Sequence, residues 1–113
     1  MILEAELERV DSTTAVFHLS GRMTLGMRLR EMEAKITDVA DQGIEKLILD
    51  LSAIEFIDSA GLGALMILYG NMKVRGGQLR VVAPGPKVLE VLKLTHTDSI
   101  LQVDPDVASA MAS

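Results

Sequence analysis

The sequence predicts a single α/β domain over residues 1–113, with a mixed sheet of four to five strands and about four helices packed against it. Three observations carry this. The hydrophobic period changes along the chain from two residues to roughly 3.6 and back. The run Leu47-Ile48-Leu49 is apolar without alternation, as in a strand covered on both faces. Glycines and prolines separate these segments, so strands follow helices as parallel crossovers require.

Leu3, Ala5 and Leu7 alternate with Glu4, Glu6 and Glu8, the period of a strand with one wet face. Asp11-Ser12-Thr13 is turn chemistry. Ala15, Phe17 and Leu19 then alternate with Val16 and His18, so the two runs form a hairpin that Gly21 ends. From Thr24 the stripe Leu25, Leu29, Met32, Ile36 and Val39 marks an amphipathic helix, closed near Gly43. After the Leu47–Leu49 strand, Ala60 to Val74 form a second helix, apolar nearly all round, stopped by Gly76-Gly77. Gln78 to Ala83 read as the next strand. Pro84-Gly85-Pro86 breaks the chain, and Pro86 opens a short helix carrying Val88, Leu89, Val91 and Leu92. Ile100-Leu101 with Val103 adds a short strand, and Asp104-Pro105 caps and opens a small terminal helix. No internal repeat, low-complexity segment or linker interrupts this order.

At 113 residues the chain is long enough for a hydrophobic core without staples, and with half its residues apolar it is not a disordered sequence. It has no cysteine, so disulfides and thiolate metal sites are excluded. Its two histidines, His18 and His96, fall short of the three protein ligands a catalytic zinc needs, so no metal or cofactor is expected. The net charge of −5 argues against nucleic acid, and three aromatic residues make no stacking platform. GLGALMILYG is shorter than the roughly 20 residues that cross a bilayer, and MILEAELERV lacks the order of a signal peptide. A soluble cytoplasmic protein without membrane contact is the expectation.

One stretch invites a functional reading. In EFIDSAGLG, Ser59 stands between an acid and two glycines, at the junction of an apolar strand and an apolar helix. Four roles are open to it: nucleophile, helix cap, phosphate-binding group, or acceptor of a phosphate. A nucleophile elbow needs glycine two residues before the serine, where this chain has Ile57, and only Glu90 lies between Ser59 and His96 to complete a triad. No catalytic residue is therefore expected. A phosphate-binding loop would need a lysine and a third glycine near Gly61 and Gly63. These glycines instead suit close helix–sheet approach or an unobstructed surface. Asp58 and Ser59 are both good caps, which is the plain structural reading. A capping serine is also exposed, and a phosphate added there would meet free N–H groups and the positive end of the helix dipole.

The run LILDLSAIEFIDSAGLGALM resembles the signature of the STAS domain, the family of bacterial anti-sigma factor antagonists. The matching pieces are Asp50-Leu51-Ser52, placed at the strand end, and Phe56 to Gly63 at the next helix. The resemblance implies a STAS-like fold over the whole chain. It implies no enzyme but a substrate and switch. The unmodified antagonist binds an anti-sigma factor that is also a serine kinase, freeing the sigma factor. Phosphorylation of the motif serine, Ser59 here, reverses this, and a serine phosphatase resets it. The implied partner surface comprises Asp58, Ser59, Ala60, Gly61, Leu62 and Gly63, with Arg22 and Thr24 beside them. Many members carry an acid just after the glycine of the second strand, whereas Gly21 is followed here by Arg22. A solvated charge is the plain reading of Arg22; contact with an acidic patch on the partner is the functional one.

The same resemblance admits an unphosphorylated regulatory subunit of a lipid-transporting ATPase or a piece of a stress-sensing assembly. Nucleotide or lipid in a groove has no support beyond the stripe Leu62, Leu65, Met66, Tyr69 and Met72, which is expected to be core.

Overall fold

The computed structural model describes residues 2–113. It contains β1 (Glu4–Arg9), β2 (Thr14–Met23), α1 (Met27–Ala40), β3 (Lys46–Ile57), α2 (Ser59–Val74), β4 (Gln78–Val82), α3 (Pro86–Leu94), β5 (Gln102–Asp104) and α4 (Val107–Ala112). A single 3-10 turn, Thr97–Ser99, joins α3 to β5. The five strands lie in chain order, β1 antiparallel to β2 and the rest parallel, so each of the later pairs is bridged by helix.

Alternation assigns the two faces. Phe17, Leu47, Leu49, Leu51, Leu79 and Val81 are buried on one face, beneath Leu29, Met32 and Ile36 of α1 and Leu65, Leu68 and Met72 of α2. Val88 and Leu92 of α3 join this cluster. The opposite face buries only a small patch, Val16, Ile48 and Val82, under Ala110 of the short α4. Lys46 holds that helix down by donating from Nζ to the carbonyls of Ala110, Met111 and Ser113.

Several boundaries differ from expectation, each for an identifiable reason. Gly21 does not end the second strand. At φ +100 it passes through a bulge, and β2 runs on to Met23. A side chain there would lie 2.5 Å from the Ile2 carbonyl oxygen, so only glycine fits. β3 extends with it to Ile57, which places Asp50-Leu51-Ser52 inside the strand rather than at its end. Beyond Asp50 only β2 pairs with β3, so the two strands project together and carry the start of α2 at their tip. α1 begins at Met27 and ends at Ala40, and Leu25 is 75% exposed rather than core. Gly26, at φ +155 and ψ 178, is not helical and stands as the N-cap, so the helix starts only at Met27, while the Asp58 carboxylate accepts the Leu25 N–H and holds the preceding loop. β5 is shifted to Gln102–Asp104, because Asp104 pairs with Arg80 at 2.8 Å, and Asp106 caps α4 in its place. In α2, Leu65 and Met72 are core as expected, while Leu62, Met66 and Tyr69 are only half-buried.

On the more open face, His18 of β2 sits between Glu8 of β1 and Asp50 of β3. Its Nε2 lies 2.7 Å from Glu8 Oε1 and its Nδ1 2.7 Å from Asp50 Oδ2. Ionised carboxylates only accept, so the two contacts are satisfied together when both ring nitrogens donate, as in the imidazolium. The Glu8 and Asp50 hydrogen bonds raise its pKa above the ordinary 6.5. The stabilisation is therefore full below about pH 6.5 and is lost as pH rises through the folded value. The wild type should exceed His18→Gln in stability by about 1 kcal/mol or less, since the site is part exposed. That advantage should be greatest near about pH 6 and shrink as pH rises above the ordinary histidine value in denaturant titrations. A gap that grew with pH would contradict the charged bridge.

Candidate functional site: the start of the second long helix

Asp58 is the residue on which this site is built. Its backbone is extended, and its N–H donates to the Met23 carbonyl at 3.2 Å, continuing the β2–β3 pairing to the tip. Its carboxylate then divides. Oδ1 accepts the Gly61 N–H at 2.9 Å, capping α2, and Oδ2 accepts the Leu25 N–H at 2.9 Å, fixing the loop before α1. The Leu25 and Gly61 N–H groups hold its pKa below the usual carboxylate value.

The cap is thus Asp58, not Ser59. Ser59 occupies the first helical position and is exposed, and its hydroxyl has no partner among the described residues. No acidic residue follows in the first turn of α2. The hydroxyl stands at the positive end of a 16-residue helix, the most favourable backbone environment for an added anion.

The two glycines do different things. Gly61 is buried, and a Cβ there would lie 2.1 Å from the Met23 carbonyl oxygen and 2.8 Å from Ile57 Cγ1. Its lack of a side chain lets α2 start directly on the strand ends. A Cβ at Gly63 would meet nothing within 4 Å, so this glycine leaves the surface beside Ser59 low. Ala60 and Leu62 are half-buried.

Arg22 and Thr24 lie at the same end of the sheet, with Arg22 paired to Phe56 and Met23 to Ile57. Arg22 is exposed, and its guanidinium stacks over the Phe56 ring, 5.0 Å from the centroid. Thr24 is half-buried. The helix start from Asp58 to Gly63, Arg22 and Thr24 therefore share one end of the molecule. Sequence reasoning missed the second bond of Asp58, to Leu25, and the Arg22–Phe56 stack; neither leaves a trace in spacing along one element. Among the described residues no group of three or more His, Cys, Asp or Glu is arranged to hold a metal, and no helix is long and apolar enough to cross a membrane.

These contacts order the effects of substitution. Ser59→Ala removes no cap and should melt within about 5 °C of wild type. Gly63→Ala adds a methyl in open space and should stabilise by about 0.5–1 kcal/mol. Gly61→Ala should destabilise by about 2 kcal/mol or more, because backbone must move. Thermal melts of the three decide the ranking, and a Gly61→Ala as stable as Gly63→Ala would show that the helix start is not packed as described.

Comparison with known proteins bears on the fold and the family. The family model described as STAS domain matches residues 4–110. A Thermotoga maritima protein described as a candidate anti-sigma factor antagonist is 35% identical over 71 residues, which span 63% of each chain. Sulfate transporter 1.2 of Arabidopsis thaliana is 36% identical over 76 residues, 67% of this chain but 12% of the transporter. The crystal structure of an anti-sigma factor antagonist from Mycobacterium paratuberculosis superposes with a TM-score of 0.84 at 28% identity, covering 97% of this chain and 92% of that one. With the sheet order, the Asp58-capped helix and a family match over nearly its whole length, the chain belongs to the STAS domain family.

Proposed function

We propose that this chain is an anti-sigma factor antagonist whose binding is switched by phosphorylation of Ser59. The observation that carries the reading is the division of labour at the helix start. Asp58 holds the junction together, which leaves the Ser59 hydroxyl exposed and free to react. The similarity to anti-sigma factor antagonists supports the class of partner. The chain itself is not an enzyme in this reading.

In the unmodified state, an anti-sigma factor with serine kinase activity covers the end formed by Asp58–Gly63, Arg22 and Thr24. Phosphorylation transfers the γ-phosphoryl group of ATP to Ser59 Oγ; the hydroxyl proton passes to a base of the kinase and ADP leaves. A serine phosphatase hydrolyses the ester and restores the hydroxyl. The phosphate carries about −1.5 to −2 charges and three acceptors. The fold tolerates it, because the helix dipole favours an anion there. The interface does not, because covering a dianion beside Asp58 carries a desolvation cost of several kcal/mol. A difference of about 2.7 kcal/mol already weakens binding a hundredfold.

Two measurements test this. Incubation with the kinase and ATP should label wild type and not Ser59→Ala; equal labelling would move the modification elsewhere. By calorimetry Ser59→Ala should bind the anti-sigma factor as wild type does, and Ser59→Asp should bind at least about tenfold more weakly. Equal affinities for the two variants would favour a phosphorylation-independent regulatory subunit.

A further inference from the structure

Beside the helix start lies a cleft of about 270 Å³, between the N-terminal residues, the end of β2 and the first turn of α1. Ile2, Leu25 and Met27 stand around it, 61%, 75% and 75% exposed. Large apolar side chains are exposed elsewhere too, Val74 and Leu94 among them, but here three line one cleft. Leu25 sits in the loop that Asp58 fixes through its N–H, so its backbone is held in place.

The charges around the cleft are of one sign. Arg22 and Arg28 line it and no acidic residue does, on a chain whose net charge is −5. Arg22 is positioned by stacking on Phe56, and it forms no ion pair among the described residues. The ring contact engages no N–H group in a hydrogen bond among the described residues, so the guanidinium fork is available to a planar acceptor such as a carboxylate. Arg28 meets only Glu31, at 3.8 Å and in solvent. Asp58, which holds the loop at Leu25, has both oxygens committed to backbone N–H groups.

The geometry points to a docking cleft for an acidic, amphipathic segment of a partner protein, with an apolar side chain between Leu25 and Met27 and a carboxylate on Arg22. This rests on the proposed function for the identity of the partner, and it names the chemistry that the partner presents to Arg22 and to the cleft beside it. A protein segment fits better than an anionic bilayer, because the apolar groups surround a concavity and the chain as a whole is acidic. Arg22 and its neighbours then supply affinity and selectivity that do not depend on the modification of Ser59.

The test uses the whole chain, labelled with nitrogen-15. It is titrated with a synthetic peptide alternating glutamate pairs with leucine, with the same peptide carrying lysine for glutamate, and with phosphatidylglycerol vesicles. Amide shifts at Arg22, Leu25 and Met27 should follow the acidic peptide alone. Arg22→Glu and Met27→Ser should each weaken it about tenfold, a loss typical of removing one anchor. Both positions are exposed, and melts confirm folding; Arg22→Gln and Leu25→Ser give the same test should either fail. Ser59→Ala should leave the peptide's affinity unchanged. Equal binding of the lysine peptide, shifts centred elsewhere, shifts with vesicles, or no shift up to about 1 mM peptide would overturn the cleft. An anti-sigma factor released by Ser59→Asp yet indifferent to Arg22→Glu and Met27→Ser would sink the cleft alone. A cleft that binds while Ser59→Asp has no effect would sink the switch alone.

Discussion

The carboxylate of Asp58 is the contact that organises the end of the molecule where the candidate site lies. One oxygen caps α2 through Gly61 and the other fixes the loop before α1 through Leu25. Its own N–H continues the β2–β3 ladder onto Met23. The ends of two strands and the starts of two helices thus meet on one residue. Because Asp58 does this alone, Ser59 is relieved of any structural duty and can change its charge without unfolding its surroundings. Gly61 completes the arrangement, since any side chain there would strike the Met23 carbonyl.

The strand extensions explain why this end is accessible. β4 stops pairing at Asp50 of β3, and β1 at Ser20 of β2, so the last residues of β2 and β3 stand clear of the sheet. Passage through the bulge at Gly21 keeps Met23 and Ile57 buried while turning Arg22 outward onto Phe56. The rest of the sheet serves mainly as foundation: one face fully covered by α1, α2 and α3, the other by α4 at a corner and by the Glu8–His18–Asp50 bridge.

The element order, the mixed sheet and the helix start at Ser59 were legible in the sequence, because period and punctuation report on single elements. The missed features all depend on contacts between elements. The apolar period alone does not distinguish Leu25 as a core position on a helix from an exposed loop residue; the helix starts after Gly26, and an aspartate 33 residues away holds the Leu25 backbone. The unalternating Leu47–Leu49 signalled a buried strand, but its continuation to Ile57 depends on β2 passing the bulge beside it. Asp104 had the spacing of a cap and was drawn instead into a part-buried pair with Arg80, leaving Asp106 to cap α4. Ser59 was singled out by its motif, and the structure adds what the motif does not contain: which neighbour takes the cap.

If Asp58 alone holds the junction, modification at Ser59 alters the surface and leaves that junction intact. The decisive comparison is amide hydrogen exchange at Leu25 and Gly61 in the unmodified chain and in one carrying phosphoserine at position 59. Protection should be unchanged at both amides, because both oxygens of Asp58 keep their donors. Loss of protection at both would mean instead that the phosphate acts by dismantling the helix start.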